Sequence, residues 1–262
     1  MSANVLAIDI DGMNIVYGIV SPDGKVLEED VLRLENGEAS EVVRQVKFLI
    51  KSYKPKVEAV GIGFPGIVNP DSGEIIFDER SQKYEVDWDE DIPIAIDNDA
   101  NLAALAEAWV GETQDVSNFI FIVLGESIDS GIFLEGHLYR GSHYSSGEIS
   151  EVITSNKSLD CISGHNFPGE FSESDKSTLS FVCEQLSQGI QSIAAVVDPT
   201  VIIIGGSRGI KIWPLMEDEL KEKIKHLNIL VQPSALGPRA SLIGAAKMAL
   251  DEVGKKSAKS AQ

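Results

Sequence analysis

Ile94-Ala-Ile-Asp-Asn-Asp-Ala-Asn-Leu-Ala-Ala-Leu-Ala-Glu107 decides how this chain is read. An apolar strand runs directly into two acid and amide pairs, and an alanine-rich helix follows with no linker. Asn98 and Asp99 therefore fall at the C-terminal end of a strand, the edge on which open α/β sheets gather their ligand chemistry. A carboxylate there can take a proton from a substrate hydroxyl, and a neighbouring amide can orient that hydroxyl because it both donates and accepts. The competing account is local: Asp97, Asn98 or Asp99 caps the helix that follows.

Outward from this junction, strands and helices alternate. Val5 to Ile10, Asn14 to Val20 and Val26 to Leu32 read as three strands, with Pro22-Asp23-Gly24 as the second turn, so the chain opens in an antiparallel meander. Glu41 to Tyr53 has helical spacing, and Val57 to Ile62 reads as a buried strand ending in Gly63-Phe-Pro-Gly66. The helix from Ala100 to Trp109 closes at Gly111. Phe119 to Leu124 then begins a second unit on the same plan: apolar strand, acid- and glycine-bearing turn from Gly125 to Gly131, strand from Ile132 to Leu134, turn at Glu135-Gly136. A repeated layout of this kind predicts two similar lobes facing a cleft. Thr154 to Asp175 lacks periodicity and reads as an irregular loop. Leu179 to Val197 is a helix stopped by Asp198-Pro199, and Val201 to Ile204 is a strand running into Gly205-Gly206. Pro214 suits the first turn of a further helix, Ala240 to Val253 a final amphipathic helix, and residues 255–262 a frayed polar tail.

Composition narrows the function classes. The 262 residues are 43% hydrophobic and 24% charged, as expected for a soluble globular protein with room for two modest cores. No apolar run is long enough to span a bilayer and the first residues form no leader, so a cytoplasmic location is expected. Two cysteines, Cys161 and Cys183, do not make a disulfide framework, which suits a reducing compartment. A formal charge of -19 repels nucleic acid and anionic membranes over most of the surface, so neither is an expected partner.

Four motifs, taken in order, resemble one family: Ala7-Ile-Asp-Ile-Asp-Gly12, Gly61-Ile-Gly-Phe-Pro-Gly66, Asp97-Asn-Asp-Ala-Asn-Leu-Ala-Ala104, and Asp198-Pro199 with Ile204-Gly-Gly206. Gly147-Glu148-Ile149 follows the second hairpin as a fifth. Over about residues 4 to 250 the chain resembles the ROK family (repressors, open reading frames and sugar kinases) of the actin-like, hexokinase-type superfamily. The resemblance implies a two-lobed α/β actin-like ATPase (ribonuclease H-like) fold, with duplicated mixed sheets around an interlobe cleft. It places one lobe at 1–110, joined by the final helix 240–254, and the other at 111–239. Asp99 matches the family's catalytic base. Asn98 and Glu148 match residues that hydrogen-bond the sugar, and Pro65-Gly66 matches the turn bordering the sugar pocket. Asp9 matches the acid of the first phosphate loop, near magnesium, and Gly12, Gly125 and Gly131 fall in the two phosphate loops. Gly205 and Gly206 match the glycines against which the adenosine part of ATP lies.

The departures from the family pattern bear on activity. Where family kinases carry Asp-x-Gly-Gly-Thr, this chain has Asp9-Ile10-Asp11-Gly12-Met13. Where Gly-Thr-Gly-x-Gly-Gly-Gly is expected, it has Gly125-Glu126-Ser127-Ile128-Asp129-Ser130-Gly131. Glycine in these loops lets backbone N–H groups approach phosphate oxygens. Asp11, Glu126 and Asp129 would instead aim negative charge at a polyanion, at a cost of roughly 1 to 4 kcal/mol for a pair at about 4 Å. The leading expectation is therefore a hexose-binding protein of kinase fold with a degraded nucleotide site. The alternative is an active hexose kinase using ATP and magnesium or another phosphoryl donor. A sugar-responsive repressor is disfavoured, because the first core strand begins at Val5, with no DNA-binding domain ahead of it. Zinc is not expected: the family's cysteine cluster is absent, Glu151 stands where a histidine belongs, and only Cys161, His165 and His143 remain as ligands. The expected partner is a small-molecule sugar, with homodimer formation left open.

Overall fold

The computed structural model describes residues 4–76, 83–88, 91–155, 157–164 and 176–260. Strand β1 (Val5–Asp11) is buried from Val5 to Ile10, which marks it as a strand covered on both faces. Its period-two alternation sends Leu6, Ile8 and Ile10 into one core, against Val42, Val46, Leu49 and Ile50 of α1 (Ala39–Tyr53). Val5 and Ala7 enter the opposite core, with Leu102, Leu242, Ala245, Ala246 and Ala249. Asp9 and Asp11 share the second parity.

β2 (Asn14–Val20) and β3 (Val26–Arg33) complete the antiparallel meander. β4 (Val60–Phe64) lies parallel to β1. β5 (Ile67–Asn69), β6 (Glu74–Ile76) and β7 (Lys83–Glu85) form a separate small antiparallel sheet that the sequence reading did not anticipate. β8 (Ile94–Asn98) joins β4 in parallel, giving the order β3-β2-β1-β4-β8. After α2 (Asp99–Val110), the plan repeats. β9 (Phe119–Leu124), β10 (Ile128–Leu134) and β11 (His137–Tyr139) form a second meander. Beyond a two-stranded ribbon, β12 (Ile153–Thr154) with β13 (Lys157–Ser158), comes α3 (Lys176–Val197). β14 (Val201–Gly205) and β15 (Leu230–Pro233) then extend the sheet in parallel, in the order β11-β10-β9-β14-β15. Strand order, direction and meander are the same in both sheets, as the repeated layout predicted. α3 and α4 (Gly206–Ile224) cover one face of the second sheet, while α5 (Ala240–Ser260) packs on the first.

α2 lies between the sheets, which explains its alanines. Leu102 belongs to the core beneath the first sheet, whereas Ala103 and Ala104 pack with Phe119, Phe121 and Phe133 of the second. Glycines set how close its neighbours come. A Cβ on Gly244 would fall 1.8 Å from the Leu102 carbonyl oxygen, and one on Gly61 would fall 1.8 Å from that of Ala245. α2, α5 and β4 therefore meet backbone to backbone, and the N-terminus of α2 is held over the gap between the sheets.

Two helix boundaries differ from the sequence reading. α4 begins at Gly206, so Pro214 lies inside the helix rather than in its first turn. Gly206 takes φ +80° at the strand exit and starts the helix eight residues early. α5 continues to Ser260 instead of fraying after Val253, since residues 255–260 contain no Gly or Pro to stop it. Of the loop read from Thr154 to Asp175, residues 156 and 165–175 lie outside the described residues.

Candidate active site

The junction at Asp97 to Asn101 is held by its own side chains. Asn98 is the N-cap of α2: its Oδ1 accepts the Asn101 N–H at 3.0 Å, while its Nδ2 donates to the Gly66 carbonyl at 3.0 Å. Gly66 has φ +85°, a left-handed turn that only glycine adopts cheaply. The Pro65-Gly66 turn is thereby tied to the strand end. Asp99 opens the helix, and its Oδ1 accepts the Ala100 N–H at 2.8 Å. Capping and site-building are thus one arrangement rather than competing accounts.

Asp99 looks into a cleft lined by Asp9 and Asp11 at the end of β1, by Gly125 after β9, by Gly206 and Ser207 at the start of α4, and by Ser241 of α5. Ser241 was not singled out from sequence. Its hydroxyl donates to Asp9 Oδ1 at 2.6 Å and orients that carboxyl from 232 residues away, a distance no local pattern spans. Burial pushes Asp9 up to about 7; the Ser241 hydrogen bond pulls it down, and the charge of Asp11 adds to the rise. Asp99 is raised well above the usual carboxylate range by burial and then by Asp9, with Asp11 and Glu148 adding to it against the pull of the Ala100 N–H. Glu148 is raised by burial and by Glu151.

Asp129 is not where the sequence reading put it. β10 begins at Ile128, and its alternation sends Ile128 into the core under α3 and α4. Asp129, Gly131 and Phe133 face α2 instead. At 8% exposed, Asp129 neighbours Glu148 and Asp99, and the nearby Asn98 side chain draws its raised carboxyl back down. Asp129 thus lies beside Glu148 and Asp99, and its side chain points toward α2. Strand parity from Ile128 would have revealed this. A Cβ on Gly131 would sit 2.3 Å from the Ala100 carbonyl, so its absence lets β10 press against α2. Gly205 serves packing over Phe121, where a Cβ would fall 2.1 Å from the ring. Gly125 and Gly206 line the cleft, and Gly12 turns the β1–β2 hairpin with φ +57° at its mouth.

The acids suggest a pH test. Burial, then Glu148 and Asp99, raise Asp129 well above the usual carboxylate range. The fold therefore prefers the protonated form and holds more protons than the unfolded chain, so this carboxyl takes stability away as pH rises from about 4 through the raised value. The thermal midpoint is expected to fall between pH 5 and pH 8, and to fall less in Asp129→Gly. Equal slopes in the two proteins would contradict the assignment.

Glu126 approaches Gly12 across the cleft mouth, where its Cγ lies 3.7 Å from the position a Cβ would take. It raises Asp11, already raised by burial, and also acts on Arg208 in the first turn of α4. Asp9 stands at the exit of β1 with its carboxyl lining the cleft, a donor that fits magnesium, which binds through one or two carboxylates plus phosphate oxygens. Among the described residues, no three His, Cys, Asp or Glu side chains are grouped to hold a metal ion, and His165 lies outside them. No helix among the described residues is long and apolar enough to cross a membrane.

Comparisons with known proteins bear on the family and the fold. The profile of the ROK family matches residues 5–167. A β-glucoside kinase of Listeria monocytogenes is 26% identical over 290 aligned positions, covering 95% of this chain and 98% of that one. A xylose repressor of Caldicellulosiruptor bescii is 26% identical over 92% of this chain and 67% of its own length. The solved structure of a ROK family glucokinase from Streptomyces griseus, in complex with glucose and AMPPNP, superposes with a TM-score of 0.81 at 21% identity, covering 95% of this chain and all of that one. With its profile matched over more than half the length and the duplicated sheets in place, this chain belongs to the ROK family.

Proposed function

We propose that this protein is a sugar kinase that transfers the terminal phosphoryl group of ATP to a hydroxyl of a hexose or hexoside. The observation that carries this reading is the placement of Asp99, between Asn98 and Glu148 on one side and the cleft lined by Gly125 and Gly206 on the other. In that position its carboxylate takes the proton of the attacking hydroxyl. Burial and the neighbouring acids raise that carboxyl, which makes it a stronger base than an ordinary carboxylate once deprotonated. Asn98, Glu148 and Asp129 supply hydrogen-bond partners for the other hydroxyls. Asp9 would hold magnesium, which would offset the charge of the phosphates. The curated kinase aligned over nearly its whole length supports the same class.

A second reading, a sugar-binding protein without turnover, is favoured by Asp11 and Glu126 facing one another across the phosphate path. The relocation of Asp129 removes one of the three charges on which the degraded-site expectation stood, and Arg208 lies near a second. ADP release over a panel of hexoses and β-glucosides, with ATP and magnesium, tests the two. Turnover of about 1 per second or more supports the kinase. Calorimetric hexose binding without ADP release supports the second reading.

The loop acids are expected to weaken ATP without abolishing it. Asp11→Gly with Glu126→Thr should tighten ATP about tenfold or more, the equivalent of relieving roughly 1.4 kcal/mol of like-charge repulsion. Titration of a fluorescent ATP analogue at fixed magnesium reads this. Affinity unchanged in the double variant would place both acids away from the phosphates.

A further inference from the structure

The sugar pocket is assembled from two halves that no strand pairing joins. Asn98 and Asp99 come from the end of β8 and the start of α2, whereas Glu148 follows the loop after β11. Arg140, the residue after β11, reaches from the second half to the first. Its Nε donates to Asp97 Oδ2 at 2.8 Å, and its Nη2 lies 2.6 Å from the same oxygen. Asp97 is fully buried, and its Oδ1 accepts from the Asn98 backbone N–H at 2.8 Å and from Asn101 Nδ2 at 3.1 Å. One carboxylate thus gathers the guanidinium on one oxygen and the backbone and side chain of the catalytic junction on the other.

The far end of the same loop is fastened to the second sheet. The Gly147 carbonyl accepts from Ser130 N at 2.9 Å and from Ser130 Oγ at 3.0 Å. A Cβ on Gly147 would fall 1.9 Å from the Ser130 carbonyl, so the contact has no slack. Between the two ends, Tyr144 takes φ +59° and its hydroxyl donates to Asp71 Oδ2 at 2.9 Å, in the turn before β6. Residues 140–147 are therefore anchored to the first half at Arg140 and to the second at Gly147, with Glu148 next in the chain.

We propose that Arg140 is a positioning residue for sugar recognition, setting the separation between Glu148 and the Asn98–Asp99 pair by locking the loop onto Asp97. The proposal rests on the kinase reading for what the pocket binds, and on this geometry alone for how the pocket is held. Without Arg140, Asp97 keeps a buried charge supported only by amides, a costly state that the junction relieves by shifting. That shift moves the Asn98 backbone and with it the Gly66 and Asp99 contacts. The Gly125 and Gly206 side of the cleft lies outside this hydrogen-bond network.

The test uses Arg140→Met and Arg140→Lys in the full chain. Arg140→Met is expected to raise the sugar KM at least tenfold while leaving the ATP KM within twofold. Arg140→Lys, which keeps the charge but loses the two-donor fork, should recover part of the loss. A general loss of structure would raise both KM values, and that result, or a sugar KM within twofold of wild type, overturns the proposal. A second readout needs no sugar: spin labels at Ser52 on α1 and Ser192 on α3, both exposed, in a Cys161→Ser background. Their distance distribution should lengthen or broaden in Arg140→Met. An unchanged distribution overturns the inference even if kinetics change, and it still decides the matter if wild type binds no hexose and the kinase reading itself fails.

Discussion

Asp99→Asn is expected to lower kcat by a factor of about 100 to 10,000 while hexose affinity changes little. That range is what a positioned general base contributes, and the amide removes only the ability to take a proton. Asn at this position keeps an oxygen for the Ala100 N–H that Asp99 Oδ1 now accepts, so the helix start is preserved. Because burial and the charges of Asp9, Asp11 and Glu148 all raise Asp99, the neutral amide also relieves repulsion, and the variant should be at least as stable as wild type. Coupled measurement of ADP release, with calorimetry of hexose binding, separates the two effects. Retention of more than a tenth of wild-type kcat would remove Asp99 from the role of base.

Gly244→Ala is expected to cost more stability than any exposed substitution, about 3 kcal/mol or more, against the 5–15 kcal/mol typical of a whole domain. The added Cβ would lie 1.8 Å from the Leu102 carbonyl oxygen, and because that atom is backbone it cannot step aside. α5 must move off α2, and Ser241 moves with it, so the Asp9 carboxyl loses the donor that orients it. Activity should fall together with stability. Gly254→Ala is the control, since nothing lies within 4 Å of its Cβ position on the same helix. There, alanine's better helix propensity should leave stability unchanged or raise it by up to about 1 kcal/mol. Urea unfolding of the three proteins reads the difference, and equal midpoints for the two variants would refute the close-approach argument.

Much of the fold was legible because its signals are local. Val5 to Ile10 and Phe119 to Leu124 are apolar enough to be recognised as strands, and the repeated order of strand, turn and strand announced two sheets of one design. Asn98 and Asp99 were legible for the same reason, being a polar break where an apolar strand becomes a helix. The small β5–β7 sheet escaped because its strands are only three residues long, too short for an alternation to register. The early start of α4 was hidden by Pro214, whose preference for a first helical turn outweighed the Gly205-Gly206 signal.

Sequence alone determined the fold class and the family, since each rests on residue types at fixed spacing along the chain, and it singled out the Asp99 carboxylate. Tertiary structure alone decided what surrounds that carboxylate. Asp129 faces α2, beside Glu148 and Asp99, because strand parity, not motif position, sets which way a side chain points. Ser241 and Arg140 entered the site from across the molecule, one through α5 packing on the first sheet and the other through a loop fastened to Asp97. Contacts made between residues distant in sequence leave no periodic trace in it. Their energy comes from burial and charge pairing, which exist only once both sheets have closed on α2.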